Sequence, residues 1–128
     1  MGMASAPLPA RVFKTAWFAK AARKATIGDD ELCRAVKQAQ AGQCDDLGGG
    51  VYKKRVSRNL YRSIVLAKGG RHWVLTYLYA KKDRANIDAA ELATFRELAK
   101  GYEKLTAPQL TALLTAKDLE EICHGDQA

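Results

Sequence analysis

Apolar positions recur with two different periods along this chain, and the change of period marks out its elements. Val12 and Phe13 give apolar content to a short first strand predicted over Arg11 to Thr15. Trp17, Phe18, Ala21 and Ala22 then fall on one stripe and predict a helix from Trp17 to Ala25, with Lys20, Arg23 and Lys24 on its other side. Gly28 breaks that helix, and Asp29 or Asp30 can cap a second one running from about Asp30 to Ala41. Leu32, Ala35, Val36 and Ala39 form its stripe. Acids crowd its start and Lys37 lies toward its end, which suits the helix dipole. The two helices are expected to pack as a hairpin on one face of a sheet.

From residue 51 the period shortens to two. Val51 to Val56 predicts a strand with Val51, Lys53 and Arg55 on one face and Tyr52, Lys54 and Val56 on the other. After a Ser57 to Leu60 connection, Tyr61 to Ala67 places Arg62, Ile64 and Leu66 on one face. Gly69-Gly70 can supply the positive φ of a hairpin turn into a third strand, His72 to Ala80. Helical spacing returns at Leu92, Phe95, Leu98, Ala99, Tyr102 and Leu105, where Gly101 is a weak point. Asp88 with Glu91 and Thr106 with Gln109 are capping-box pairs, the second opening a helix over Pro108 to Lys117. Leu119 and Ile122 lie in a short tail segment. The predicted order is β-α-α-β-β-β-α-α. It describes an α+β domain with a small central antiparallel sheet, an N-terminal helical hairpin packed on it and C-terminal helices.

The chain has 128 residues, enough for one domain with its own core. That domain is expected over residues 11–123, between a loose tail at 1–10 and a frayed end at 124–128. Residues 1–9 do not read as a signal peptide, and no apolar run reaches the ~18–20 residues of a membrane span. Cys33, Cys44 and Cys123 are odd in number and lack CxxC spacing. They are therefore expected as three free thiols in a reducing, cytoplasmic compartment rather than as a disulfide framework or zinc site. Gly48-Gly49-Gly50 lacks the spacing of a phosphate-binding loop and precedes a strand, so it reads as a flexible lead-in or a bulge.

Charge changes the picture most. The net charge is +7. Val51 to Arg84 alone carries ten cations (Lys53, Lys54, Arg55, Arg58, Arg62, Lys68, Arg71, Lys81, Lys82 and Arg84) against Asp83. More than the whole excess therefore sits in this one stretch of three predicted strands and their connections, which marks a polyanion-binding surface. No carboxylate pair accompanies the cations, so the sequence shows no candidate ligand set for a metal-dependent nuclease and no cofactor motif. RNA permits cleavage without metal, because its own 2′-OH can attack the adjacent phosphate. Lys53, Arg55, Arg62 and Lys81 are the candidates to stabilise the phosphorane or move protons, with Tyr79 or Tyr61 to stack on a base or relay a proton. Lys54, Arg58, Lys82 and Arg84 are candidate RNA contacts. Each has a plainer reading: lysines protect edge strands, Arg62 can pair with a helix acid, Trp73 and Tyr77 suit a core, and His72 beside a turn is expected exposed and idle.

Taken in order, Val12-Phe13-Lys14-Thr15 and Trp17-Phe18, Asp46-Leu47-Gly48-Gly49-Gly50-Val51, Lys53, Arg55-Val56, Tyr61-Arg62, Tyr79-Ala80-Lys81 and Asn86-Ile87 resemble the RelE/HigB-like toxins of bacterial type II toxin–antitoxin systems. The resemblance covers about residues 11–105. It implies an endoribonuclease that cuts mRNA on the ribosome and is neutralised by a cognate antitoxin. By matched position its catalytic groups carry over to Lys53, Arg55, Arg62 and Lys81, and after them to Tyr79. Two departures stand out: the Ser57 to Leu60 connection is short and has no glycine, and Lys82 stands where many relatives have Asn. Two other readings are a ParE-like inhibitor of a protein such as DNA gyrase, which would not need the cationic cluster, and a plain basic nucleic-acid-binding protein. Codon preference, oligomeric state and the antitoxin's identity are not written in the sequence.

Overall fold

A computed structural model describes residues 10–124. Residues 1–9 of the tail expected at 1–10, and residues 125–128 of the end expected to fray at 124–128, lie outside them. The elements are β1 (Arg11–Thr15), α1 (Ala16–Lys24), α2 (Asp29–Gln40), β2 (Asp45–Gly48), β3 (Val51–Val56), β4 (Tyr61–Leu66), β5 (His72–Ala80), α3 (Ala89–Glu103), α4 (Ala107–Thr115) and β6 (Leu119–Ile122). The fold is α+β around a six-stranded mixed sheet of order β2-β3-β4-β5-β1-β6. β2 to β5 form the antiparallel meander, whereas β1 runs parallel to β5 and β6 closes the far edge antiparallel to β1. Two strands therefore lie in stretches read from sequence as loop and tail.

Helices cover both faces. Phe18 and Ala22 of α1 and Leu32, Val36 and Ala39 of α2 bury one face with Val65, Leu75 and Leu78. Ala99 of α3 and Leu110 of α4 bury the other with Phe13, Ile64, Leu66 and Val74. α1 starts where Thr15 accepts a hydrogen bond from the Phe18 amide. Both capping boxes form as the sequence predicts, and α3 runs through Gly101. α2 begins instead at Gly28 without a side-chain cap, its first turn carrying Asp29, Asp30 and Glu31. Gly69 and Gly70 supply the positive φ of the β4–β5 turn.

Three expectations are corrected. Cys33 and Cys123 form a disulfide with Cα atoms 5.6 Å apart, leaving Cys44 as the free thiol. Counting cysteines could not reveal this, because only the docking of β6 brings residues 90 apart in sequence together. His72 is buried, not exposed: its ring packs edge-on to Phe13, and Nδ1 lies 3.2 Å from the Tyr102 carbonyl oxygen. Trp17 is not on the buried stripe of α1; it is 52% exposed and rests against Tyr77.

One irregularity decides what the sheet presents. Ile64 pairs with Tyr77 but Val65 pairs with Leu75, so Thr76 is an extra residue in β5. The Thr76 hydroxyl donates to the Ile64 carbonyl at 2.9 Å and closes the bulge. A bulge shifts the two-residue alternation by one. Trp73 and Leu75 therefore face α1 and α2, while Tyr77 and Tyr79 beyond the bulge face the α3 side.

Candidate RNA-facing site

The bulge assembles a row across three strands. Arg55 of β3 stands opposite Arg62 of β4, and Arg62 stands opposite Tyr79 of β5. The neighbouring row is Lys53, Ile64 and Tyr77. All share the α3-side face: alternation groups Lys53 with Arg55 and Arg62 with Ile64, and the strand pairing brings the two groups together. Like charges directly opposite one another in a sheet are destabilising, so nothing in folding favours Arg55 against Arg62. Arg62 has no helix acid as partner among the described residues. Its guanidinium donates to the Asn59 and Tyr61 carbonyls at 3.1 and 3.2 Å. Lys53, largely enclosed, reaches Asn86 Oδ1 at 3.4 Å and Asp45 at 3.8 Å.

Tyr79 is 6% exposed, and its hydroxyl has no hydrogen-bond partner among the described residues. Such a group is rare and calls for an explanation. Burial pushes the phenol above its ordinary pKa, and Arg62 and Arg84 pull it partly back, so it stays protonated at neutral pH. Arg84 lies over the rings of Tyr79 and Tyr77, with its guanidinium carbon 5.5 and 5.9 Å from their centroids. It forks onto Glu91 at 2.6 and 3.1 Å and donates to the Tyr77 hydroxyl at 3.2 Å. The hydrogen bond from Arg84, together with the Asp88 amide, holds the Glu91 carboxyl below its ordinary range.

Lys81 follows β5 at the same corner, its amide donating to the Leu60 carbonyl, and Lys82 is exposed in the next turn. Arg58 sits in the β3–β4 turn, where Ser57, Arg58 and Asn59 have φ of +54, +55 and +68°. Three successive left-handed residues without glycine are held by Leu60 N–H donating to Ser57 O and by Glu31 Oε2 accepting from the Ser57 amide at 2.6 Å. Lys54 is not gathered with the others; it points to the opposite face and donates to the Gln43 carbonyl. Tyr61 likewise packs on the α1–α2 side. The triple glycine is the β2–β3 hairpin turn, and Arg96 of α3 packs on it and donates to the Leu47 and Gly48 carbonyls.

Tyr77, Asn86 and Glu91 have no site role from sequence: Tyr77 reads as core, Asn86 enters only with the motif of the resemblance and Glu91 only in a capping box. Asn86 and Glu91 carry a weak signal, next to a cation cluster and in a capping box. Tyr77 carries none, because strict alternation without the bulge would aim it at the other face. No group of three or more His, Cys, Asp or Glu side chains among the described residues is placed to hold a metal ion, and no helix among them is long and apolar enough to cross a membrane. The geometry is a cationic floor that can hold a phosphodiester, with a buried phenol beneath Arg84 beside it.

In comparison with known families, residues 10–122 match the family described as RelE toxin of the RelE/RelB toxin–antitoxin system. No curated protein matches the chain.

Proposed function

The chain belongs to the RelE family of toxins of toxin–antitoxin systems, whose members pair with an antitoxin, and on that premise we propose that it is a metal-independent endoribonuclease acting on mRNA, bound to the ribosome. The observation that carries this reading is the row Arg55–Arg62–Tyr79: two opposed cations beside a buried phenol without a partner.

The substrate supplies the nucleophile. Its 2′-OH attacks the adjacent phosphorus, the O–P bond forms as the bond to the 5′-oxygen breaks, and the products are a 2′,3′-cyclic phosphate and a 5′-OH. Arg55 and Arg62 fit the phosphate oxygens, and their charge matches the phosphorane best when its negative charge is greatest. Lys53 and Lys81 flank the row as candidates to take the 2′-OH proton. Tyr79 holds its proton at neutral pH, and that suits it to donate to the departing 5′-oxygen. DNA lacks the 2′-OH and is not a substrate in this mechanism.

The test is induced expression with mapping of mRNA 5′ ends. New 5′-OH ends within translated regions are expected for the wild type and not for folded Arg62→Ala. Growth arrest with intact mRNA, or a folded Arg62→Ala protein as toxic as wild type, would overturn the reading.

A further inference from the structure

We infer that Trp17 forms a nucleobase-stacking subsite at the edge of the cationic face, so that a base of the bound RNA lies on its open indole surface. The inference rests on the RNA-cleaving reading above and adds to it a residue from outside the meander.

Trp17 stands in the first turn of α1, one residue before the buried Phe18. A step of one residue in a helix turns the side chain by about 100°, which takes the indole off the core and onto the second half of β5. There one surface of it rests on Tyr77, with centroids 5.0 Å apart and the planes tilted by 30°. The residue is nonetheless 52% exposed. Two other large apolar side chains, Leu60 and Leu98, are comparably exposed, but neither extends an aromatic series. Trp17 does. Tyr77 continues to Tyr79 at 5.7 Å and to Phe95 at 6.1 Å, and Arg84 covers both tyrosines.

The series ends in chemistry that a nucleic acid matches. In register, Tyr77 is two strands from Lys53 and Tyr79 is adjacent to Arg62. With strands spaced about 4.8 Å apart, phosphate-binding cations and the aromatic edge lie about 10 Å apart across the floor. Proteins that hold single-stranded RNA combine the same two parts, a cationic track for the backbone and an aromatic surface for an unstacked base. An exposed indole on an aromatic series that Arg84 covers and that runs on to the row of Arg62 fits that pattern better than an apolar protein contact, which would place further apolar residues rather than charges along it.

The experiment uses ribosomes programmed with a synthetic mRNA, intact or carrying a single abasic nucleotide at each position of the cleaved codon in turn. Trp17→Ala should lower cleavage at sub-saturating enzyme roughly 5- to 150-fold, the range of one lost base stack, with saturated cleavage little changed and Trp17→Phe intermediate. One abasic position should impair the wild type to the same extent and should not impair Trp17→Ala further. Thermal unfolding checks that each variant is folded. If wild type cleaves and Arg62→Ala does not, but Trp17→Ala cleaves like wild type, the stacking subsite is overturned while the nuclease reading stands. The same holds if Trp17→Ala loses only antitoxin binding, which would assign the indole to a protein partner. If wild type cleaves nothing, both fail.

Discussion

Tyr79→Phe separates function from stability because its two expected effects have opposite signs. Replacing a hydrogen-bonded tyrosine by phenylalanine ordinarily costs about 1 kcal/mol. Here the hydroxyl is buried without a partner, and an unpaired buried polar group costs the fold about 1–3 kcal/mol. Phenylalanine keeps the ring beneath Arg84 and the contact with Tyr77. The variant should therefore be more stable by about 1 kcal/mol, or about 3–5 °C in Tm for a domain of this size. The same hydroxyl is the proposed proton donor, and losing a general acid costs roughly 100- to 10,000-fold in rate.

Urea denaturation and single-turnover cleavage on programmed ribosomes measure the two sides. A lowered urea midpoint would mean that the hydroxyl has a partner after all, and wild-type cleavage would remove it from the chemistry. The titration adds a third sign. Burial raises the Tyr79 pKa from its ordinary 10.0, so above about that pH the folded state holds a proton that the unfolded chain releases. Its contribution to stability is complete below pH 10 and is lost as pH rises through the folded pKa. Tyr52 and Tyr102 shift the same way, so Tyr79→Phe should make the alkaline loss shallower without abolishing it.

Thr76→Val removes the hydroxyl that closes the β5 bulge; the freed Ile64 carbonyl should cost about 1–2 kcal/mol in urea unfolding, and cleavage should fall as Tyr79 loses its placement. Cys33→Ser opens a loop whose ends are 90 residues apart, for which the chain-entropy relation gives about 4.6 kcal/mol and typical measurements about 2–4; dithiothreitol should lower the urea midpoint of wild type and leave that of the variant unchanged. Glu121 is held below its ordinary 4.5 by the hydrogen bond from Arg11, so its contribution is present above that pH and disappears as pH falls through the lowered value; Glu121→Gln should flatten the acid limb of the stability–pH curve, and an unchanged limb would remove the pair from it.

How far the sequence disclosed this arrangement varies from residue to residue. Alternation groups Lys53 with Arg55 in β3 and Arg62 with Ile64 in β4, because nothing interrupts the period there, but only the pairing of the two strands puts the groups on one face. In β5 the period fails at Thr76, and alternation alone would have aimed Tyr79 away from the cations. The resemblance carried Tyr79 where the pattern could not. β1 and β6 pair through contacts remote in sequence, so neither the parallel β1–β5 ladder nor the Cys33–Cys123 bond has a local signature. Trp17 was misplaced by one helical step, since a stripe of small and aromatic residues does not say which member lies at its edge.

What unites the corner at the ends of β3, β4 and β5 is that local rules of stability are broken there together. Arg55 opposes Arg62. Tyr79 buries a hydroxyl without a partner. Ser57, Arg58 and Asn59 take left-handed backbone without a glycine, at about 1–2 kcal/mol per residue. Elsewhere the chain keeps the rules, with capping boxes at Asp88 and Thr106 and glycines in the β4–β5 turn. The glycine-free turn sets the Asn59 carbonyl where Arg62 donates to it, and Glu31 of α2 accepts from its Ser57 amide. Sequences agree with their folds at most positions and depart where function requires it. Two of these departures, the opposed cations and the unpartnered hydroxyl, are the ones a bound phosphate or a hydrogen-bonding substrate oxygen would relieve, which is what the proposed RNA-cleaving role requires of this corner.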